Sequence, residues 1–221
     1  IDPRQQAVRD EVKAFAEKEI YPISEELDRM PEPRKFPREL YRKIGQAGFI
    51  GYCMPKELGG QGKSHLEYIT LVEELCYHDA GVGLLCAVAE LATAPIINFG
   101  NEEQKKKYVP KCAAGEIVPA FVLTEPEAGS DAANQKTEAV ETGDGFVLNG
   151  EKIFIMHGDA ADLGVVFCKV KDQPKLSAIL VETDQPGWKA RTLKNKMGMR
   201  AATTGGIHLT DVKAPRENLM G

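Results

Sequence analysis

Closely spaced cysteine pairs are missing from this sequence. The chain of 221 residues contains five cysteines, an odd number, and no two of them form a C-x-x-C pair. The sequence therefore gives no sign of a disulfide framework or of a zinc site, and we expect no bound metal. Reduced, scattered thiols are typical of proteins in a cytosol-like compartment.

Excess positive charge and long apolar runs are also absent. The 28 Lys and Arg side chains are outnumbered by 33 Asp and Glu, which gives a net charge of -5. A nucleic-acid partner is not expected, because no large basic surface is available to neutralise phosphates. No run reaches the roughly 18 consecutive apolar residues that indicate a membrane-spanning helix, so we expect no membrane span.

The residues that are present change character at about residue 116. Residues 6–27 carry apolar side chains at helical spacing, and Pro22 should kink or divide that helix. Residues 80–98 are apolar nearly all round, which predicts a helix buried on most sides. The first part of the chain, residues 1–116, is therefore predicted to be an all-helical domain.

The second part of the chain has the pattern of short strands separated by turns. Two tight-turn signals occur, one at residues 142–145 and one at Asn149-Gly150. The segments of strand length are 118–123, 137–141, 146–149, 152–156, 163–170, 176–182 and 206–210. We expect an all-β sandwich or barrel over residues 117–221, and an α+β fold for the chain.

The segment FVLTEPEAGSD, residues 121–131, combines the end of an apolar strand with a polar turn. Pro126 fixes one backbone dihedral there, and Gly129 permits an unusual one. Thr124, Ser130 and the turn amides supply several hydrogen-bond donors close together. Such a turn can hold a polar ring edge or a phosphate, although a plain β-turn explains the same residues.

The same segment resembles the first signature of the acyl-CoA dehydrogenase family, roughly L-T-E-P-x-A-G-S-D, in register from Leu123 to Asp131. Residues 98–110, 148–158 and 196–215 resemble the family's helix-to-helix link, its second flavin segment and the closing strands of its middle domain. The resemblance implies an FAD-dependent enzyme that converts an acyl-CoA thioester to the 2-enoyl-CoA. In that family a base removes the α-proton, and the β-hydrogen passes to flavin N5 as a hydride.

The resemblance also implies partners and a location. An electron-transfer flavoprotein would be the electron acceptor, and the full-length protein would be a homodimer or homotetramer. The protein would be cytoplasmic, or in the mitochondrial matrix if it is eukaryotic. Two alternatives stay open: a flavin monooxygenase of the same fold, and a non-catalytic binding module of the same fold. The E-P-x-A-G-S-D turn favours the dehydrogenase.

Site residues carried over from the family lie in the two flavin segments. The strand end and turn at 121–130 would follow the flavin ring, and the second segment would lie on its other side. The cofactor-binding residues implied in this way are Phe121, Leu123, Thr124, Gly129, Ser130, Phe154, Ile155 and Met156. Ser130 would also contact the CoA part of the substrate.

The second flavin segment departs from the family pattern. Where the family usually has Trp-Ile-Thr/Ser-Asn, this chain has Phe154-Ile155-Met156-His157. Phe154 can still cover an aromatic face, but Met156 cannot replace the hydroxyl that normally approaches flavin N5. Flavin electronics should therefore change, because hydrogen bonds to the ring tune it. His157 is expected to be a turn or packing residue.

The family's C-terminal helical domain is expected to be missing from this chain, because Gly221 falls where the family's middle domain finishes. In the family that domain usually carries the catalytic glutamate, contacts to the adenine part of FAD and most of the oligomer interface. The catalytic base is thus expected beyond Gly221, and the 221-residue chain alone should be inactive or nearly so.

Glu90 is the one carboxylate inside the apolar segment 80–98. Burial of a charge there is costly unless the charge is paired or faces a polar cavity. Residues three and four positions away carry no positive charge, so no partner is available along the helix. In related dehydrogenases this helix borders the acyl pocket, and Glu90 is expected to face that pocket. The alternative is that Glu90 points to a helix end or pairs with a basic residue elsewhere.

Overall fold

Helices fill the first half of the chain and strands the second, which confirms the predicted α+β class. The computed structural model describes residues 2–171, 173 and 175–221. Its helices are α1 Pro3–Glu19, α2 Tyr21–Arg29, α3 Arg38–Gln46, α4 His65–His78, α5 Ala80–Phe99 and α6 Glu102–Ala113. Its strands are β1 Pro119–Val122, β2 Glu138–Thr142, β3 Gly145–Met156, β4 Leu163–Val170, β5 Leu176–Glu182, β6 Trp188–Thr192, β7 Thr204–Pro215 and β8 Leu219–Met220. Division into domains 1–116 and 117–221 stays a prediction.

Local sequence signals set the helix ends. Asp2, Ser64 and Asn101 each form a capping box, in which the cap side chain accepts from the third helical amide and that residue's side chain reaches back. Pro22 divides the first apolar segment as predicted, because α1 ends at Glu19 and α2 begins at Tyr21.

The longest helix, α5, packs against α4, α6 and β1. Asp79 caps its start by accepting hydrogen bonds from the amides of Gly81 and Val82. Half of its 20 residues are buried, whereas Leu91 and Phe99 are exposed. Among the described residues α5 is the one helix long and apolar enough to cross a membrane. The core helix of a globular protein meets the same two conditions.

The strands form one mixed sheet in the order β6-β7-β3-β2-β4-β5-β8, and β1 joins it by parallel pairing with β4. β5 also contacts β7, and β1 contacts β3, although neither pair is hydrogen-bonded as neighbouring strands. The sheet thus folds over an apolar core of its own, as in a sandwich or barrel. That core includes Val122, Leu148, Val166, Ile179 and Ile207.

A second core joins the helices to the sheet. Leu163, Val165 and Leu180 project from β4 and β5 into one cluster with buried helix residues such as Leu75 and Leu85. One side of β4 and β5 therefore faces the helices, and the other side faces the core of the sheet. β1 also contacts α5 directly, so the shared core holds β1 beside that helix.

The predicted turn at Asn149-Gly150 is wrong. β3 continues through it and pairs with β7, with a shift in register between Leu148 and Gly150. Asn149 instead bonds across to β7, where its side-chain oxygen accepts from the Asp211 amide at 2.9 Å. A Cβ on Gly150 would lie 2.3 Å from the Thr137 hydroxyl oxygen. Asn149 therefore serves cross-strand hydrogen bonding, and Gly150 avoids a clash with Thr137. The other predicted turn, at residues 142–145, does form a hairpin between β2 and β3.

Candidate functional site

The two segments that carry the sequence resemblance lie side by side. The amide of Ile153 in β3 donates a hydrogen bond to the Thr124 carbonyl oxygen, 2.9 Å away, just after the end of β1. The ammonium group of Lys152 donates to the neighbouring carbonyl oxygen of Leu123, also at 2.9 Å. The end of β1 is therefore fixed against the middle of β3.

A bulge in β3 turns one aromatic ring outward. The pairing with β7 shifts register between Lys152 and Ile155, and Phe154 between them has a φ of 57°. A left-handed backbone costs an L-residue roughly 1–2 kcal/mol. Phe154 is 64% exposed, whereas the next residue, Ile155, is buried. An exposed aromatic on a strained backbone contributes little to folding and is typical of a binding surface.

Lys152 is fully buried beneath this surface and is surrounded by oxygen atoms. Its ammonium group donates to the side-chain oxygen of Gln135 at 2.7 Å and to the Phe167 carbonyl at 2.7 Å. Oε1 of Glu125 lies 2.9 Å from the same nitrogen. With the Leu123 carbonyl, these groups link the end of β1, the following turn and β4 to one charge on β3.

Glu125 completes this buried network from the turn. Burial alone would raise the pKa of its carboxyl group, but hydrogen bonds from the amides of Lys136 and Thr137 and from Lys152 hold the pKa below its usual value. The Thr137 amide donates to Oε1 at 2.9 Å. Glu125 is therefore an ionised structural anchor, and its side chain points inward, away from the exposed turn.

Pro126 and Glu127 of the turn are exposed, whereas Ala128 is buried. Glu125 and Ala128 close it with two backbone hydrogen bonds, of 3.1 and 3.2 Å, and Gly129 and Ser130 follow on the surface. Gly129 is not among the described residues with a positive φ. A Cβ there would meet nothing within 4 Å, so the chain's own packing does not require glycine at this position.

The strand end before this turn is half-buried. Phe121 packs its ring against Phe167, with centroids 4.7 Å apart, and Leu123 and Thr124 are also half-buried. Thr124 is thus partly accessible, and Ser130 in the turn is exposed. Both hydroxyls are therefore available to a ligand.

Met156 and His157 end the second segment in different environments. Met156 is half-buried, and its sulfur accepts a hydrogen bond from the Thr204 hydroxyl at 3.0 Å. His157 is completely buried, with its ring 5.1 Å from that of Phe36 and 6.1 Å from that of Tyr41. Burial lowers the pKa of His157 to about 4, with the nearby Pro119 carbonyl opposing the shift. His157 is thus a neutral packing residue, as expected.

Glu90 has a partner that the helix pattern did not show. Its Oε1 lies 3.0 Å from Nε2 of His65, the first residue of α4. The sequence pattern predicted no partner along α5, and this partner comes instead from the preceding helix, α4. The acyl-facing role of Glu90 stays a prediction.

Comparison with known proteins identifies the family. The chain matches the description "Acyl-CoA dehydrogenase, N-terminal domain" over residues 2–116 and "Acyl-CoA dehydrogenase, middle domain" over residues 120–212. The chain belongs to the acyl-CoA dehydrogenase family. The first matched region contains the helices, and the second contains most of the sheet and both segments that resemble the family's flavin segments.

Individual relatives agree with this assignment. A short-chain specific acyl-CoA dehydrogenase from Clostridium acetobutylicum is 40% identical over 98% of this chain and 58% of its own length. Subunit CarC of a caffeyl-CoA reductase-Etf complex from Acetobacterium woodii is 37% identical over 97% of this chain and 57% of its own length. The structure of an acyl-CoA dehydrogenase complexed with FAD from Bacillus anthracis is similar with a TM-score of 0.91 and 32% identity. It is matched over 100% of this chain and 38% of its own. This chain spans less than two thirds of each.

Sequence reasoning missed the residues that hold the two segments together. Lys152 occupies an inward position of β3, where an alternating strand pattern would place an apolar residue. Glu125 is part of the signature at Leu123–Asp131, but the residues around it give no indication that its side chain points inward. A lysine at an inward strand position is itself a signal, because it needs several buried oxygen partners.

Proposed function

We propose that the protein containing this chain is an FAD-dependent acyl-CoA dehydrogenase that converts an acyl-CoA thioester to the 2-enoyl-CoA. The observation that carries the proposal is the bulge in β3, which exposes Phe154 beside the end of β1. That geometry brings together the two segments that resemble the family's flavin segments, 121–130 and 152–156. The family membership of the chain supports the same reaction.

The residues present fit a flavin. The exposed ring of Phe154 is available to cover a planar aromatic group, and the partly accessible hydroxyl of Thr124 offers a hydrogen bond at the opposite segment. The open space at Gly129 lets a ligand approach the backbone closely. Phe121, Leu123, Ile155 and Met156 are proposed to line the ring, with Ile155 contributing its backbone because its side chain is buried.

The chain's own contribution to the reaction is binding and orientation. When bound, FAD would supply the acceptor for the β-hydrogen of the substrate. Phe154 would exclude water from one side of the ring, and Thr124 would donate to a polar edge. Ser130 is proposed to contact the CoA part of the substrate from the exposed turn. The catalytic base is proposed to lie in the part of the family's length that this chain does not span.

Partners of the whole protein are part of the proposal. An electron-transfer flavoprotein is proposed as the acceptor, since one relative's name places it in an Etf complex. A homodimer or homotetramer and a cytoplasmic or matrix location follow from the family resemblance alone. A non-catalytic module is the second candidate, because Met156 replaces a hydroxyl and its sulfur engages Thr204.

The test uses the purified full-length protein. We expect a flavin absorption spectrum and ferricenium reduction that depends on an acyl-CoA, tested across short, long and branched chains. Thr124→Val should weaken FAD binding, whereas Thr210→Val, at an exposed position of β7, should not. Flavin binding without acyl-CoA oxidation but with oxygen consumption on external reduction would favour a monooxygenase. Absence of both flavin and turnover would favour the binding module.

A further inference from the structure

Three side chains of metal-binding type meet at one surface pocket away from the flavin-type segments. Cys53 lies in the loop after α3, His65 is the first residue of α4, and Glu90 is in the middle of α5. One ligand atom from each side chain lies within 4.8 Å of the other two. The Nε2 atom of His65 and the Oε1 atom of Glu90 are 3.0 Å apart.

The three donors match the chemistry of a thiophilic divalent cation. Zinc binds thiolate sulfur at about 2.3 Å, imidazole nitrogen at about 2.0 Å and carboxylate oxygen at about 2.1 Å. Donors that share one such ion lie roughly 3–4 Å apart. The ligand atoms of the cluster lie within 4.8 Å of one another, so only a small adjustment of their positions is needed to share one ion. The side chain of His65 can make that adjustment because it is 79% exposed. A sulfur donor disfavours magnesium and calcium, which prefer oxygen ligands.

The surroundings leave both room and negative charge for a cation. A pocket of about 160 Å³ opens onto Cys53, His65 and Glu90. Among the described residues no Lys or Arg lines this pocket, so no fixed positive charge competes with a metal ion for Glu90. A water molecule would fit as a fourth ligand.

We propose that Cys53, His65 and Glu90 bind one zinc ion or a similar thiophilic divalent cation. The site ties the loop before α4 to α4 and α5, and it is independent of the dehydrogenase proposal. It gives Glu90 a ligand role in place of the acyl-facing role.

The test is a titration of the tag-free, metal-free, reduced protein with Co²⁺ and with Zn²⁺. We expect one Co²⁺ per chain, with near-ultraviolet absorption from a cobalt-thiolate bond, and displacement of Co²⁺ by Zn²⁺. Cys53→Ser should remove that absorption. His65→Ala and Glu90→Gln should each weaken binding by about tenfold or more, since each loses one of three protein ligands.

Matched controls separate this site from incidental binding. Cys76→Ser changes another half-buried cysteine and should leave the cobalt spectrum unchanged. Circular dichroism checks that each variant is folded, and the exposed His65 can be replaced without disturbing the core. Cobalt absorption that persists in Cys53→Ser, equal affinity in all variants, or no binding at micromolar cobalt would each overturn the proposal.

Discussion

Lys152 is a buried charge that joins β3 to β4, to the end of β1 and to the turn after β1. Removal of one member of a buried ion pair leaves the other charge without compensation, which costs about 3–5 kcal/mol. The network therefore stabilises the fold and fixes the carbonyl of Leu123 beside the proposed flavin position.

Lys152→Met should lower the free energy of unfolding by about 3–5 kcal/mol, because Glu125 is then buried and unpaired. The double variant Lys152→Met with Glu125→Gln should recover part of that loss. Urea denaturation measures both. Lys136→Met is the matched control, since Lys136 pairs with Glu127 on the surface and should hardly change the midpoint. Equal effects at both lysines would contradict a special role for Lys152.

His157 makes stability depend on pH. Its pKa is about 4 in the folded chain and about 6.5 when unfolded, so only the unfolded state takes up a proton in this interval. Its contribution is fully present above about pH 6.5 and is lost as the pH falls towards 4. The difference amounts to about 3 kcal/mol.

His157→Asn should remove this component of the pH dependence, and asparagine also tolerates the φ of 62° at this position. Urea midpoints of the variant and the parent protein between pH 7.5 and 4.5 check it. His208→Asn, at an exposed histidine of β7, serves as the control. Parallel pH profiles for His157→Asn and the parent would show that burial of His157 does not set the slope.

The bulge in β3 places an aromatic side chain that contributes little to folding at the proposed flavin site. The backbone at Phe154 is left-handed, and its ring is mostly exposed, so the side chain adds strain without much burial. Phe154→Gly should therefore leave apo stability unchanged or raise it by up to about 1 kcal/mol. The same change should weaken FAD binding to the full-length protein, because a face of the proposed ring site is lost.

Thermal unfolding of the apo form and flavin titration measure these two effects of Phe154→Gly. Ile155→Gly is the comparison, since Ile155 is buried in the core of the sheet and its loss should destabilise the apo form by about 2–5 kcal/mol. A large loss of apo stability in Phe154→Gly, with normal FAD affinity, would reverse the assignment.

The whole molecule is held together by the core that helices and sheet share. Leu180 of β5 is fully buried in this cluster, while its neighbour Ile179 faces the core inside the sheet. Because both halves contribute to one core, they should unfold together.

Leu180→Ala should cost about 2–5 kcal/mol and shift the loss of helical circular dichroism and the fluorescence change of Trp188 by the same amount. Trp188 lies in β6 and is the one tryptophan of the chain, so it reports on the sheet alone. Two separate transitions, or a shift in only one signal, would show that the halves are independent.

Local patterns in the sequence determined a large part of this architecture. The helices within residues 6–27 and 80–98 followed from apolar composition and spacing, and the division of the first helix followed from Pro22. The hairpin at residues 142–145 followed from its turn residues. These features depend on neighbours within a few positions along the chain, so spacing alone is sufficient to reveal them. The signature at Leu123–Asp131 identified the family for the same reason.

Only the tertiary structure decided which side chains meet. Asn149-Gly150 became part of a continuous strand because Asp211 and Thr137, far away in sequence, bond to and crowd these two residues. Glu90 contacts His65 of another helix, and Cys53 of a loop lies beside both. Lys152 contacts oxygen atoms of the end of β1, of the following turn and of β4. Such contacts depend on the packing of whole elements, whose relative positions no local spacing in the sequence specifies.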